Sequence, residues 1–294
     1  MANRFLERLQ TNDVLIADGA TGTNLQAVGL QPGVSPEEWV FDQPDKILAL
    51  HQAWVAAGSD IILTCTFGGT RVRMRESKYA DRAPELNKRA AGLACEAADA
   101  RAGVLVAGSI GPTGQLLKPF GPLTLAEAQA TFAEQAQALA AGGVDLLVIE
   151  TQFALEEATA AIEGARSVCE LPIVISFSFD RGVRTMMGVK PSQVAATFKS
   201  MGVVAIGANC GTTLENMQKI VEEYAAANSG LIIWAKPNAG LPVTKGGAAV
   251  YEVTPEQMGE GARRNVQAGA RIVGGCCGST PAHVATIARA AKSA

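Results

Sequence analysis

The sequence predicts an α/β protein in which one domain, residues 1–294, folds as a closed (β/α)8 barrel, or TIM barrel. Short runs rich in β-branched residues recur eight times, and Ala-, Glu- and Leu-rich stretches with helical spacing separate them. A chain of 294 residues has a usual length for such a barrel. Strands that alternate with helices predict a parallel sheet, and eight repeats in one domain favour closure over an open doubly wound sheet. The eight runs are residues 14–17, 60–64, 104–107, 145–149, 172–176, 203–206, 231–235 and 271–273.

The segments between the runs carry helix signals. Residues 125–141 and 191–201 have apolar residues at helical spacing. Gly58, Gly143 and Gly269 each stand shortly before a predicted strand, where a glycine in the left-handed conformation ends a helix. We therefore expect several helices to end at a glycine, with the next strand following within a few residues.

Composition excludes several classes of protein. Hydrophobic residues make up 48% of the chain and charged residues 18%, which suits a large core and not a disordered chain. The net charge is −3 without a basic cluster, so no nucleic-acid partner is expected. No apolar stretch predicts a membrane span or a secretory signal. Six cysteines in so long a chain do not predict a disulfide framework, so we expect reduced thiols and a cytoplasmic protein.

Polar residues and glycines follow most of the predicted strands. Because active sites of (β/α)8 barrels lie at the carboxyl ends of the strands, these residues are expected to meet at one mouth. They are residues 18–23, 65–68, 109–112, 150–151, 210, 236–238 and 276–277.

Three cysteines among them, Cys210, Cys276 and Cys277, predict a zinc site. Catalytic zinc typically has three protein ligands and keeps a fourth position for water or substrate. Adjacent cysteines on a regular strand point to opposite faces, so both reach one ion only where the backbone bends, and the glycines of residues 274–278 permit that bend. A zinc ion held by three thiolates suits the binding and deprotonation of a substrate thiol.

The alternative is that cysteines serve as small core residues, since free cysteine is often buried. We expect this role for Cys65, Cys95 and Cys169. Cys65 also follows the second predicted strand, so an approach of its thiol to the metal stays open.

Six stretches, spread over almost the whole chain, resemble the homocysteine S-methyltransferase family. The doublet in Gly-Gly-Cys-Cys-Gly with the upstream Asn-Cys is specific, whereas the glycine-rich turns alone are weak signals. The first stretch is most similar to the homocysteine-binding module of cobalamin-dependent methionine synthase. The stretches are residues 18–26, 64–67, 111–114, 207–210, 237–240 and 274–278.

The resemblance implies a zinc-dependent transfer of a methyl group to the thiol of homocysteine, which gives methionine and belongs to methionine biosynthesis. Cys210, Cys276 and Cys277 are then the zinc ligands, to which the homocysteine sulfur binds. A further hypothesis is that Asn238 supplies an oxygen near the zinc before substrate arrives. Its alternative role is that of a turn residue.

The resemblance also assigns the two ends of the substrate. Asp18 and Glu150 are expected to receive the ammonium group, although an Asp-Gly turn and a charge at a helix start are their alternative roles. Glycine-rich backbone forms anion-binding concavities, which suits the carboxylate. The groups expected to hold the carboxylate are the backbone N–H groups of Gly19, Ala20 and Thr21 and those near Thr66.

The methyl donor is expected to be small and diffusible or to be delivered by a separate corrinoid protein. Neither His51 nor His283 lies in the Asp-x-His-x-x-Gly pattern that offers an axial ligand to cobalamin, so we expect that this chain does not hold cobalamin by itself. Methylcobalamin on a separate corrinoid protein is the first expectation, followed by S-methylmethionine, betaine or another methylated compound. The acceptor can also be another small thiol.

Two other functions compete with methyl transfer. Lys236 ends the seventh predicted strand, where a lysine can form a Schiff base in an aldolase. The chain can also be a non-catalytic zinc- or thiol-binding partner of a corrinoid protein. Borohydride trapping tests the first alternative, and turnover with free methylcobalamin tests the second.

Overall fold

A computed structural model describes residues 3–11, 13–211, 213–245 and 248–293. Eight parallel strands of these residues form one sheet in the order β1-β10-β7-β6-β5-β4-β3-β2, and β8 and β9 form a separate antiparallel hairpin between β7 and β10. The predicted (β/α)8 barrel is therefore confirmed. The strands are β1 (Leu15–Ile16), β2 (Ile61–Leu63), β3 (Leu105–Ile110), β4 (Leu146–Gln152), β5 (Ile173–Phe177), β6 (Ala205–Cys210), β7 (Ile232–Pro237), β8 (Val243–Lys245), β9 (Ala248–Val250) and β10 (Ile272–Val273).

Closure of the sheet depends on the seam between β1 and β2. One parallel bridge, between Ala17 and Ile61, joins the two strands. Two carboxylates continue the pairing on either side of it. Asp60 Oδ2 accepts a hydrogen bond from the Ile16 N–H at 3.0 Å, and Asp18 Oδ2 accepts one from the Leu63 N–H at 2.7 Å. Side-chain oxygens thus take the place of carbonyls where the short strands run out of backbone partners.

The helices surround the barrel, and local sequence sets their ends. Thr124 and Glu127 form a capping box at the start of α6, which spans residues 125–141 as predicted. The three predicted glycine caps are confirmed, with φ of +99° at Gly58, +92° at Gly143 and +112° at Gly269. The α-helices are α1 (Arg4–Gln10), α2 (Gly22–Ala27), α3 (Trp39–Asp42), α4 (Pro44–Ala56), α5 (Ala83–Ala98), α6 (Leu125–Ala141), α7 (Leu155–Arg166), α8 (Pro191–Phe198), α9 (Leu214–Ala226), α10 (Pro255–Gln267) and α11 (Pro281–Ala291).

Two sequence predictions about the elements are corrected. The helix predicted over residues 191–201 ends at Phe198, because the chain then tightens into a turn in which the Met201 N–H donates to the Phe198 carbonyl. Ser109, Glu150, Cys210 and Lys236 do not follow their strands but lie within them. The backbone ladder continues past the apolar residues, so these side chains project from paired strands. Among the described residues, no helix has the length and apolar character needed to cross a bilayer.

Apolar side chains fill the amino-terminal half of the barrel. Phe5 of α1, fully buried, closes this end and packs with inward-facing residues such as Leu105, Val174 and Ile272. Burial of a side chain of this size stabilises the fold by roughly 2–3 kcal/mol. Because the apolar layers occupy this half, the carboxyl half of the interior is left for polar groups and a cavity.

Candidate metal and acceptor site

A cavity of about 730 Å³ opens at the carboxyl ends of the strands. Its volume lies in the usual range for small-molecule sites. It reaches from the barrel interior to the loops after β1 and β2. Most of the predicted site residues line it, whereas Asp18 and Asn238 do not. The predicted residues in its wall are Gly19, Ala20, Thr21, Thr66, Glu150, Cys210, Cys276 and Cys277.

Three thiols meet at the base of this cavity. The Sγ atom of Cys210 lies 2.9 Å from that of Cys276 and 3.8 Å from that of Cys277, and all three Sγ atoms lie within 4.8 Å of one another. Thiolates that bind one tetrahedral zinc ion at about 2.3 Å stand roughly 3.8 Å apart. The three cysteines are free thiols, so this group is a candidate metal site.

The backbone brings these thiols together from two strands that flank β7. Cys210 ends β6, and the Cys276 N–H donates to the Pro237 carbonyl of β7 at 2.8 Å. A turn closed by the Ser279 N–H on the Cys276 carbonyl, at 3.0 Å, directs both adjacent cysteines to one side. Gly278 permits this turn with φ of +77°, and a Cβ atom there would clash with the Tyr251 ring. The bend predicted from the glycines is present.

Two non-glycine residues of the site have left-handed backbone, Thr151 with φ of +59° and Cys210 with φ of +54°. Such conformations cost about 1–3 kcal/mol each and collect at functional sites. Asn209 secures the first of them, because its Oδ1 accepts from the Thr151 N–H at 2.9 Å and its Nδ2 donates to Thr151 Oγ1 at 2.7 Å. Asn209 was recognisable from the sequence only as part of the Asn-Cys motif, and its contact with Thr151 was not predicted.

The thiols are coupled electrostatically. Hydrogen bonds from Cys210 and Cys276 lower the pKa of Cys277 to about 3, while the pKa of Cys210 is raised well above its ordinary value, first by its hydrogen bond with Cys276. Burial, followed by the charge of Cys277, raises the pKa of Tyr251 to about 12. The cluster therefore accepts one negative charge readily and resists a second, which is the situation that a divalent cation relieves.

Glu150 is a buried carboxyl group in the cavity wall. Its Oε1 accepts from Ser109 Oγ at 2.6 Å, and its Oε2 accepts from Asn209 Nδ2 at 3.3 Å. Burial raises its pKa from 4.5 to about 7, against the opposing effect of the Lys236 charge. A carboxyl group that ionises with such difficulty is stabilised by a cation from the cavity.

Asp18 has a different environment, because both of its carboxylate oxygens are in use. Oδ2 accepts from the Leu63 N–H, and Oδ1 accepts from Lys236 Nζ at 2.6 Å. The exposed fractions of the two side chains are 1% and 3%. Burial lowers the pKa of Lys236, but the negative charges of Asp18, Glu150 and Cys276 raise it by more, so the amine keeps its proton.

The backbone beside Asp18 is only partly engaged. The Ala20 N–H donates to Ser279 Oγ at 3.2 Å, whereas among the described residues the N–H groups of Gly19 and Thr21 have no acceptor. The N–H of Thr66 donates to the Thr64 carbonyl at 2.9 Å and its hydroxyl to the Ser109 carbonyl at 2.7 Å. The polar groups of Thr66 itself are therefore already paired.

Two further predicted residues lie nearby. Asn238 is buried, and its Oδ1 has no hydrogen-bond partner in the described ranges. Cys65 lines the cavity but packs in an apolar cluster with Leu86 and Met74, and burial raises the pKa of its thiol well above the ordinary value. Within the described residues, the group of metal-ligating side chains contains Cys210, Cys276 and Cys277 and not Cys65.

Comparison with known proteins identifies the family. Residues 15–291 match the family model described as homocysteine S-methyltransferase. The chain belongs to the homocysteine S-methyltransferase family. The resemblance predicted from the six stretches is thus confirmed, while the closer likeness to the module of methionine synthase stays a prediction.

Solved structures share this fold. The chain is 26% identical to the metallated form of the homocysteine methyltransferase MmuM from Escherichia coli, with a TM-score of 0.83 over 98% of this chain and 99% of that one. For the oxidized form of MmuM the identity is 26% and the TM-score 0.81, over 97% and 99% of the two chains. A methyltransferase from Methanosarcina mazei, 10% identical with a TM-score of 0.62 over 99% and 97%, shares the fold.

Proposed function

We propose that this protein catalyses zinc-dependent transfer of a methyl group to the thiol of homocysteine, which gives methionine. The observation that carries the proposal is the group of three sulfur atoms within 4.8 Å at the base of a cavity large enough for an amino acid. Membership of the homocysteine S-methyltransferase family supports it. The reaction is a transfer to sulfur, and each part of the site has a separate task in it.

Cys210, Cys276 and Cys277 are the proposed zinc ligands. Their spacing suits a tetrahedral ion, and an all-thiolate set selects zinc among the common divalent metals. When bound there, zinc lowers the pKa of a substrate thiol so that the sulfur is a nucleophile at neutral pH. Asn209 and the turn at Gly278 hold two of the ligand-bearing segments in place.

The rest of the wall is proposed to orient homocysteine. Glu150 receives the ammonium group, whose positive charge stabilises the ionised form of this buried carboxyl group. Asp18 contributes negative charge behind it. The N–H groups of Gly19, Ala20 and Thr21 and those near Thr66 face the carboxylate, with Gly19 and Thr21 the best placed because they have no acceptor among the described residues. Fixing both ends of the substrate holds its sulfur toward the open mouth for in-line attack.

Asn238 is proposed to supply an oxygen near the metal when no substrate is bound. Its buried Oδ1 without a partner supports this role, because such an atom costs about 1–3 kcal/mol unless another group satisfies it. X-ray absorption at the zinc edge of the substrate-free protein tests it. An unchanged coordination shell in Asn238→Ala contradicts the role.

The donor is proposed to be a methylcorrinoid on a separate protein, or else a small methylated compound. Large apolar side chains on three loops at the carboxyl end of the barrel are at least half exposed, and a protein docked on this end would cover them. Phe120 is 80% exposed on the loop after β3, Met186 and Met187 are 50% and 52% exposed after β5, and Leu241 is 55% exposed after β7.

The decisive experiment incubates the zinc-loaded protein and homocysteine with a panel of donors and detects methionine by mass spectrometry. The panel contains free methylcobalamin, a methylated corrinoid protein, S-methylmethionine and betaine. Cys276→Ala in the same assays controls for spontaneous methylation. Methionine formed by the wild type above this control supports the proposal, and methionine formed equally by both contradicts it.

The two alternative functions, a Schiff-base aldolase and a passive zinc-binding partner, differ from methyl transfer in testable ways. A Schiff-base aldolase needs a neutral amine, whereas Lys236 is held as an ammonium ion by Asp18. We therefore expect no borohydride trapping of Lys236. A passive zinc-binding partner of a corrinoid protein is distinguished by the donor panel, because it forms no methionine from any donor.

A further inference from the structure

A buried ammonium group lies in the cavity wall beside the proposed homocysteine subsite. Lys236 extends from β7, is 3% exposed and lines the cavity. Its Nζ carries three N–H donors, and one of them reaches Asp18 Oδ1 at 2.6 Å. In the described residues no other hydrogen bond is made by this ammonium group. A buried cation with unused donors next to a cavity indicates an anionic ligand.

Asp18 holds this cation in place and is not itself free for an ammonium group. Its Oδ2 closes the barrel seam on the Leu63 N–H, and its Oδ1 faces Lys236. The Asp18 side chain is absent from the cavity wall, whereas Lys236 and Glu150 are part of it. A positively charged group of a ligand can therefore pair with the carboxylate of Glu150, whereas at Asp18 it would compete with the ammonium group of Lys236.

The loop beside this ion pair adds further donors. Asp18 is followed by Gly19 and Thr21, whose N–H groups have no acceptor within the described ranges and whose residues line the cavity. The contact between Asp18 and Lys236 fixes the ammonium group beside this loop. Backbone donors and one buried cation together form a site for a planar anion with two oxygens.

We propose that Lys236 binds the carboxylate of the acceptor thiol, while Glu150 binds its ammonium group and Asp18 is a positioning residue that acts through Lys236. This inference rests on the proposed function, since it identifies the acceptor as a thiol with an α-amino acid end. It changes the assignment made for Asp18 and adds a cation to the backbone donors of Gly19 and Thr21. Negative and positive groups then alternate: Asp18 contacts Lys236, Lys236 contacts the substrate carboxylate, and the substrate ammonium group contacts Glu150.

Binding of truncated acceptors tests the inference without any methyl donor. Isothermal titration calorimetry compares homocysteine with 3-aminopropane-1-thiol, which lacks the carboxylate, and with 4-mercaptobutanoate, which lacks the amine. In the zinc-loaded wild type, loss of the carboxylate is expected to weaken binding about 100-fold, the factor for one charge-assisted hydrogen bond in a buried site. Lys236→Met should reduce this preference to about 3-fold, the part that the backbone N–H groups of Gly19 and Thr21 still supply.

Glu150→Gln is the matched control, because it should give the reverse pattern. It weakens homocysteine and 3-aminopropane-1-thiol and leaves 4-mercaptobutanoate unchanged, whereas Lys236→Met weakens homocysteine and 4-mercaptobutanoate. If Lys236→Met weakens all three thiols equally, or if the wild type shows no preference for the carboxylate, the inference is wrong. Zinc content and circular dichroism verify each variant, and Asp18→Asn/Lys236→Met, which removes both charges of the ion pair together, replaces Lys236→Met if that variant does not fold.

The result is separable from the proposed catalysis. A carboxylate preference that depends on Lys236, in a protein that forms no methionine from any donor, keeps the binding assignment and rejects the methyl transfer. If the protein forms methionine and Lys236→Met keeps the preference for the carboxylate, the methyl transfer is supported and the binding assignment is rejected.

Discussion

The two ends of the β1–β2 seam use the same device in different surroundings. At the amino end, Asp60 accepts from the Ile16 N–H and lies 3.8 Å from Arg101 and 3.2 Å from Lys292, whose side chains are 39% and 49% exposed. At the carboxyl end, Asp18 accepts from the Leu63 N–H and pairs with Lys236. Both carboxylates close the barrel, but the cations at one end are in solvent and the cation at the other end is buried.

This difference separates stability from function. Exposed ion pairs contribute little to the free energy of unfolding, so Asp60 closes the amino end of the seam with cations that water can also solvate. A buried pair carries a desolvation cost that an apolar pair would avoid, and it persists where its charges have a further task. The carboxyl end is also where the cysteines and the left-handed residues lie, as expected for the functional end of such a barrel.

The largest effect is expected from Cys276→Ala at the carboxyl end. Loss of one of three thiolates should abolish zinc binding, because two remaining thiolates hold the ion too weakly, and turnover should fall to the background rate. Metal content by mass spectrometry and methionine formation are measured on the same sample. The fold should survive, since Cys276 lies in a loop after β10 and not in the apolar layers.

Cys65→Ala is the control for this variant. Cys65 also lines the cavity but packs among apolar residues, so its zinc content should equal that of the wild type. Zinc loss in Cys65→Ala would place its thiol at the metal. Full activity of Cys276→Ala in verified metal-free protein would contradict the zinc site itself.

The next effect compares the two seam carboxylates directly. Asp18→Asn leaves the buried Lys236 without its counter-charge, which should lower the free energy of unfolding by about 3–5 kcal/mol and weaken acceptor binding. Asp60→Asn has exposed cations that water can solvate, so we expect a loss of about 1 kcal/mol and unchanged acceptor binding. Urea denaturation and calorimetry with homocysteine measure both quantities. Equal losses of stability for the two variants would contradict the contrast between the ends.

The strands, several helix ends and the cysteine group were predictable from the sequence, whereas the buried ion pair at the carboxyl end was not. The period of β-branched runs predicted all eight barrel strands, and the glycines predicted helix ends because a positive φ is a local demand. The cysteine group was predictable because thiol chemistry and barrel topology agree on one mouth. The hairpin of β8 and β9 was missed, since it forms no part of the repeat.

The ion pair between Asp18 and Lys236 was beyond the sequence, because it joins residues 218 positions apart. Each residue alone had a plausible separate role, one as an ammonium ligand and the other as a Schiff-base amine. Their pairing is set by the register of β7 beside β10 and of β10 beside β1. Contacts of this kind depend on three-dimensional closure, which local patterns do not encode.

A third prediction concerns pH at the carboxyl end. Burial raises the pKa of Glu150 to about 7 in the folded protein, against 4.5 in the unfolded chain. The native state therefore binds more protons between these values, and stability should fall as pH rises through this window. Glu150→Gln removes the penalty, so at pH 8 it should be more stable than the wild type by about 3 kcal/mol and at pH 4.5 equally stable.

Denaturant titrations at several pH values measure this difference. The same variant should bind homocysteine more weakly, so that gain of stability and loss of function coincide at one residue. A stability difference that does not change with pH would mean that Glu150 is already ionised at low pH in the folded protein.

The smallest effect is expected from Lys292→Met at the amino end. Lys292 is half exposed and lies 3.2 Å from Asp60, which keeps its bond to the Ile16 N–H in the variant. Solvent and salt screen such a pair, so the free energy of unfolding should change by about 0–1 kcal/mol, and less at high ionic strength. Acceptor binding should not change at all. A loss as large as that of Asp18→Asn would mean that the exposed cation carries the seam, and the contrast between solvated and buried partners would then no longer account for where the functional site lies.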